Sequence, residues 1–292
     1  MNVLMIHGIG QEDSTREQLL EKWISSLHGI APGLLSNANV EMAYYGTTLA
    51  NWTTGHANAA VPMGAELTEI NPLDVDELNF LTAAMEEAVK QNDIDESLIA
   101  ANMDGVGHNA IPMDSIIGRR LVGLVRAIEK LSPAKGSILL RVVKQGYTYL
   151  SAPGAGTAVD NIVRPYLQKS PQVLLTHSLG TVIAFKLLRE MEAAGIEIEI
   201  PLFITMGSPL GLDAFKKRLG PPSKKPNFVK KWINFYDPSD LVALGKKLDK
   251  PIFAAGIEND GTVNNPTNNA HGIVGYLPHK GVINALKEAI GK

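Results

Sequence analysis

The stretch best suited to covalent chemistry is Thr176-His177-Ser178-Leu179-Gly180. An apolar run, Val173-Leu174-Leu175, precedes it as a buried strand would, and an amphipathic helical pattern starts after the glycine. A serine on such a sharp strand-to-helix turn exposes its hydroxyl at the end of a sheet and aims the next backbone N–H into the same space. Ser178 is therefore the candidate nucleophile. Thr176 stands where the usual G-x-S-x-G has its first glycine, a position that must be small because strand and helix pass close together. A second chemical signal is His7-Gly8-Ile9-Gly10, following an apolar strand at residues 3–6. Glycines there permit a tight turn with backbone N–H groups facing a cavity, as an oxyanion site requires. A competing serine, Ser208, lies in Gly207-Ser208-Pro209-Leu210-Gly211. Proline follows it and cannot donate the N–H needed at that position, so Ser208 is read as part of a pocket-wall turn. Two acids, Asp237 and Asp240, follow the strand-like run Trp232-Ile233-Asn234-Phe235-Tyr236, and a polar loop leads to His271.

Composition narrows the class. The 292 residues are 45% hydrophobic and 20% charged, with 27 Lys+Arg against 30 Asp+Glu and a formal net charge of −3. This is an ordinary globular balance with no electrostatic reason to expect nucleic acid or an anionic membrane as partner. With no cysteine, disulfide staples, zinc-thiolate sites and a cysteine nucleophile are excluded. Residues 1–10 have no basic leader. No stretch reaches the ~18 uninterrupted apolar residues of a membrane span, so a soluble, cytoplasmic protein with no integral membrane segment is expected.

The remaining chain must position these groups. Ser14-Thr15-Arg16-Glu17 has a capping-box pattern opening a helix with Leu19, Leu20, Trp23, Ile24 and Leu27 on one face. Strands are expected at residues 3–6, 40–45, 172–176, 201–206, 232–236 and 252–257. Between residues 46 and 165 helical patterns replace strands: one opened by Pro72 and Asp74, one capped by Ser115 with Arg119, Arg120, Arg126 and Lys130 on its polar side, one near 138–150 and one near 157–168. An insertion this long and helical is a candidate cap over an active site. The basic face around Arg119 is also a candidate lipid contact. The lysine-rich residues 216–231 are expected to be a solvated face.

Turn glycines, a serine on an elbow, an acid after a later strand and a histidine after the last strand occur in the chain order of the α/β-hydrolases. The chain resembles that superfamily, and more narrowly its bacterial lipase/esterase branch, in H-G-I-G, T-H-S-L-G, G-S-P-L-G, W-I-N-F-Y-D-P-S-D-L-V and A-H-G-I-V-G-Y-L. Residues 46–165 carry none of the resemblance. The likeness implies a single α/β domain over residues 1–292, with a mostly parallel sheet of about six strands that begins at the superfamily's third strand, so that the first two are lacking, and a helical cap at 46–165. It implies a Ser178, Asp240, His271 triad, with Asp237 the alternative acid and His279 the alternative base. It implies oxyanion donors at the backbone N–H groups of Ile9 and Leu179, with His7, Gly8, Gly10, His177, Gly180 and Ser208 supporting the pocket and turns. His28, His56 and His108 are left to the surface or the cap. The implied activity is hydrolysis of a small-molecule acyl ester, with no cofactor or metal required. A thioesterase or acyltransferase uses the same triad, and a non-catalytic member binding an acyl ligand or a partner protein is the alternative of a different class. Oligomeric state is not legible.

Overall fold

The computed structural model describes residues 1–55, 75–103, 116–131, 135–266 and 269–291. In chain order the elements are β1 (Asn2–Ile6), α1 (Arg16–His28), β2 (Asn39–Ala43), α2 (Gly46–Gly55), α3 (Val75–Gln91), α4 (Glu96–Met103), α5 (Ile116–Leu131), α6 (Lys135–Ser151), α7 (Ala155–Leu167), β3 (Gln172–His177), α8 (Leu179–Ala193), β4 (Ile200–Met206), α9 (Asp213–Leu219), β5 (Val229–Phe235), β6 (Glu258–Asp260), α10 (Ile273–Tyr276) and α11 (Lys280–Ile290). The strands form one sheet in the order β2-β1-β3-β4-β5-β6. Every pairing in it is parallel. An all-parallel sheet must be covered on both faces, which is why its strands are apolar on both sides. Leu4, Ile6, Leu174, Phe203 and Trp232 face one core, shared with α3, α5, α6 and α8. Val3, Met5, Val173, Leu175, Ile204 and Phe235 face the other, with α1 and α11.

Two features of the sheet position the site. Its register aligns the C-terminal ends: Ile6 pairs with Thr176, His177 with Met206, Met206 with Phe235, and Phe235 with Asp260. The strand order also reverses at β1, whose neighbours are β2 and β3. The crevice beyond the carboxyl ends of strands at such a switch point is where open α/β sheets bind ligands. His7-Gly8-Ile9-Gly10 leaves β1 there, and Ser178 leaves β3.

Several boundaries differ from the sequence expectation. The capping box sits one residue later, with Thr15 as N-cap and Gln18 bonding back to it. The second strand stops at Ala43 rather than residue 45, because Tyr45 turns to hydrogen-bond His7. The apolar run at 252–257 is not a strand. Phe253 N donates to Asp249 O and Ala254 N to Leu248 O, so the segment coils, and Gly256 takes φ +79°. Phe253 is buried edge-on against Phe185 and Trp232. The sixth strand is the polar triplet after it, held to β5 partly through Asn234 Nδ2 donating to Asn259 Oδ1 at 3.1 Å.

The described part of residues 46–165 is helical. Pro72, Asp74, Ser115, His56 and His108 lie outside the described residues. α5 exposes Ile116, while Arg120 on its polar side bonds Glu86 at 3.1 Å and also pairs with Glu96. Much of the lysine-rich face is paired: Lys216 with Asp213 at 2.6 Å, Lys230 with Glu199, and Lys231 with Glu288 at 3.3 Å. Among the described residues no helix is long and apolar enough to cross a membrane.

Candidate active site

Ser178 links β3 to α8 with φ 53° and ψ −129°, in positive-φ space that a non-glycine residue adopts only when its surroundings enforce it. Three groups enforce it. Ser178 N–H donates to Met206 O at 3.0 Å, and its own carbonyl accepts Thr181 N–H at 3.0 Å and the Thr181 hydroxyl at 2.7 Å. With the Thr181 proton spent there, the Ser208 hydroxyl must be the donor across the 2.7 Å Thr181–Ser208 contact. Ser208 also caps its own turn by accepting Leu210 N–H at 3.3 Å. It therefore braces the elbow instead of lying open for reaction. Thr176 is tolerated because its buried hydroxyl donates to Ile204 O at 2.8 Å. Gly180 has no such latitude, since a Cβ there would stand 2.3 Å from His7 O and 2.5 Å from Ile6 O.

The serine hydroxyl opens a hydrogen-bonded chain. Ser178 Oγ lies 2.8 Å from His271 Nε2, and His271 Nδ1 lies 2.9 Å from Asp240 Oδ2. The carboxylate accepts only, so the imidazole proton sits on Nδ1 and Nε2 is left to accept from the serine. Asp240 Oδ1 accepts Val242 N–H at 2.9 Å, and Oδ2 also accepts the Tyr276 hydroxyl at 2.7 Å. Burial pushes the Asp240 carboxyl up, but His271, the hydrogen bond to it and the Tyr276 hydroxyl together outweigh burial and hold it below its ordinary value. Gly207 makes room for the pair: a Cβ there would meet Asp240 Oδ2 at 2.9 Å and His271 Nδ1 at 3.1 Å.

Beside the serine runs the β1 turn. A Cβ on Gly8 would stand 2.6 Å from Ser178 Cβ and 3.2 Å from its Oγ, so the backbone at Gly8 passes directly against the serine. His7 shapes this turn. It stacks on Tyr45 with ring centroids 4.2 Å apart, accepts Tyr45 N–H on Nε2 at 3.1 Å and donates from Nδ1 to Gly8 O at 2.6 Å. Gln11 Nε2 donates to Ile9 O at 2.9 Å, and Gly10 adopts φ +68° to close the turn. On the other side, Leu179 is the first residue of α8, whose N–H helix geometry leaves without an intrahelical acceptor.

The other sequence candidates are elsewhere. Asp237 does not reach His271; its oxygens accept Ser239 N–H and Asn265 N–H, both at 2.7 Å. His279 caps α11 and lies 3.3 Å from the Thr262 hydroxyl. His177 does not enter the Ser178–His271–Asp240 chain; it donates from Nε2 to His271 O at 2.8 Å. Two residues that the sequence did not single out belong to the site. Tyr276 touches Asp240, and Asn265 Nδ2 donates to Ala270 O at 3.2 Å and Gly272 O at 2.7 Å, bracketing His271. Their signal was local and weak: a tyrosine in A-H-G-I-V-G-Y, and one asparagine in an asparagine-rich loop. Among the described residues, no group of three or more His, Asp or Glu side chains is arranged to hold a metal ion.

The buried histidines carry a stability consequence. Burial pushes His7 down to about 4 despite its bond to Gly8 O. Burial, helped by neighbouring His271, pushes His177 down to about 3. Both stay neutral in the folded chain at pH values where the unfolded chain binds protons, near its ordinary value of about 6.5. Stability from them is complete above that value and is lost as pH falls toward 4 and then 3. Between about pH 6.5 and 5, where carboxylates remain ionised, urea midpoints should drop with a slope near one proton per buried histidine. His7→Gln should flatten that slope, and a flat wild-type profile would count against the burial of both rings.

The chain matches no model of a known protein family, no curated protein and no solved structure.

Proposed function

We propose that the protein is a serine hydrolase of the α/β-hydrolase type that cleaves carboxylic esters through an acyl-enzyme on Ser178. The observation that carries this reading is the continuous Ser178–His271–Asp240 chain ending on a positive-φ elbow at the sheet's switch point. A serine hydroxyl is a weak nucleophile at neutral pH, and a base within hydrogen-bond reach is what activates it. His271 Nε2 takes the Oγ proton as Oγ bonds to the acyl carbon, and the carbonyl π electrons move onto oxygen. The N–H groups of Leu179 and Ile9 are the donors for that oxyanion. When the tetrahedral intermediate collapses, the bond to the leaving alkoxide breaks and the alkoxide takes the proton from His271. Water then repeats the sequence on the acyl-enzyme, releasing the acid and restoring Oγ–H. Asp240 holds the imidazole in the required tautomer and stabilises its cation between the two proton transfers.

The described helices within residues 46–165, α2 to α7, are proposed as part of the cover that selects the acyl group. α6 supports this, because Lys135 Nζ at its start donates to Ser239 O at 3.1 Å, one residue from Asp240. The test is reactivity at Ser178. The wild type should take up one fluorophosphonate on Ser178 and turn over p-nitrophenyl esters, and Ser178→Ala should do neither. Running acetate to palmitate esters beside acyl-CoA thioesters then reports chain length and leaving group.

A further inference from the structure

The Tyr276 hydroxyl occupies a position that the triad reading does not require. It lies 2.7 Å from Asp240 Oδ2, the same oxygen that His271 Nδ1 approaches at 2.9 Å. On its other side it accepts Asp237 N–H at 3.1 Å. With that N–H directed at a phenol lone pair, the phenol proton points at the carboxylate. The tyrosine is fully buried, and burial together with the neighbouring Asp240 charge holds its hydroxyl well above the ordinary phenol range. Its proton is therefore the one directed at Asp240. α10 supplies the geometry, carrying the chain from His271 through one short helix so that Tyr276 returns beneath the acid. His177 Nε2 and Asn265 Nδ2 fix the carbonyls around the histidine, and Asp237 joins the acid loop to Asn265.

We propose that Tyr276 is a positioning residue that shares the Asp240 carboxylate with His271 and thereby sets the pH at which the histidine becomes an effective base. The inference rests on the reading of Ser178, His271 and Asp240 as the reacting chain. A carboxylate accepting two donors on one oxygen offers each of them less charge, so the imidazolium is held less tightly than by a lone carboxylate. Without the phenol, Asp240 would stabilise the histidine cation more strongly, and a higher pH would be needed to free the base. The other ionisable groups around this cluster do not duplicate the effect. The His177 ring lies 4.8 Å from the His271 ring and stays neutral, the Lys135 ammonium is bonded to Ser239 O, and both Asp237 oxygens accept backbone N–H groups.

The experiment is the pH profile of kcat/KM for p-nitrophenyl acetate in the wild type, in Tyr276→Phe, and in protein carrying 2,3-difluorotyrosine at position 276. The acid limb of kcat/KM reports the free enzyme's base. A hydrogen bond to a charged group is strong enough to move that limb by about one pH unit. Tyr276→Phe should shift it upward, a loss of about tenfold on the acid side and at most about threefold on the alkaline plateau. Difluorotyrosine keeps the ring's place and hydrogen bond but donates more strongly, so it should shift the limb downward. This second arm keeps the test decisive where the phenylalanine variant folds poorly. Unmoved limbs in both proteins, or equal losses at every pH, would assign Tyr276 a purely structural role and overturn the proposal. A wild type whose Ser178 takes no fluorophosphonate would instead remove the reading beneath it.

Discussion

Replacing His271 with alanine is expected to lower kcat/KM for an activated ester by roughly five powers of ten or more, because among the described residues His271 Nε2 is the side-chain base hydrogen-bonded to Ser178 Oγ. Neighbouring His177 spends its Nε2 on the His271 carbonyl, and burial makes its ring too weak a base to replace His271. Asp240→Asn should cost about four powers of ten by a different route. The carboxylate meets three donors, Val242 N–H on Oδ1 and both His271 Nδ1–H and the Tyr276 hydroxyl on Oδ2. An amide has one acceptor atom, so its NH₂ must face either the backbone or the imidazole. Facing the imidazole, it drives the proton to Nε2 and leaves Ser178 without a base. His279→Ala is the control. That side chain caps α11 through Gly281 N–H, so its loss should cost about 1 kcal/mol of stability while leaving kcat within about threefold. Steady-state kinetics of the three variants check this, and a His279→Ala enzyme as dead as His271→Ala would reverse the assignment of the base.

Gly8→Ala should be nearly as informative without removing any reacting group. The added methyl would stand 2.6 Å from Ser178 Cβ and 3.1 Å from His177 Nδ1, distances at which one of the two segments must move. α8 holds the serine from one side and the Met206 carbonyl from the other, so the β1 turn is the segment free to give. Moving it would carry Ile9 N–H off the position proposed for an oxyanion donor. Losing one such donor typically costs about 100- to 1,000-fold in kcat, and overpacking adds about 1–3 kcal/mol of destabilisation. Gly29→Ala is the matched control: its φ is −58° and a Cβ there finds only ordinary contacts, 3.5 Å from Ser25 O at the nearest. The expected outcome is a kcat loss in Gly8→Ala with KM changed little, and neither change in Gly29→Ala. A fully active Gly8→Ala enzyme would place the oxyanion donors elsewhere.

The strands most legible in the sequence were those buried on both faces, because a short run rich in branched apolar residues such as Val173-Leu174-Leu175 fits a strand of a covered parallel sheet. β6 was illegible for the converse reason. It is three polar residues at the sheet edge, paired through Asn234 and Asn259, while the apolar segment before it is buried as a coil. α2 was also missed, since Gly46-Thr47-Thr48 and Thr53-Thr54-Gly55 are weak helix formers. It is held from outside, with Trp52 against Gly154, where a Cβ would meet the indole at 2.9 Å. In the site, Ser178 and the glycines announced themselves because turn geometry is local. The choice of Asp240 over Asp237, and the parts taken by Tyr276 and Asn265, depend on partners 31, 36 and 28 positions away that only folding brings together.

Whether Ser178 is an activated nucleophile is read most directly by intact-mass and peptide mapping after exposure to a fluorophosphonate at neutral pH. A single adduct is expected on Ser178, slowed by orders of magnitude in His271→Ala and absent from Ser178→Ala. A folded wild-type protein that acquires no adduct, or acquires it on Ser208, would contradict it.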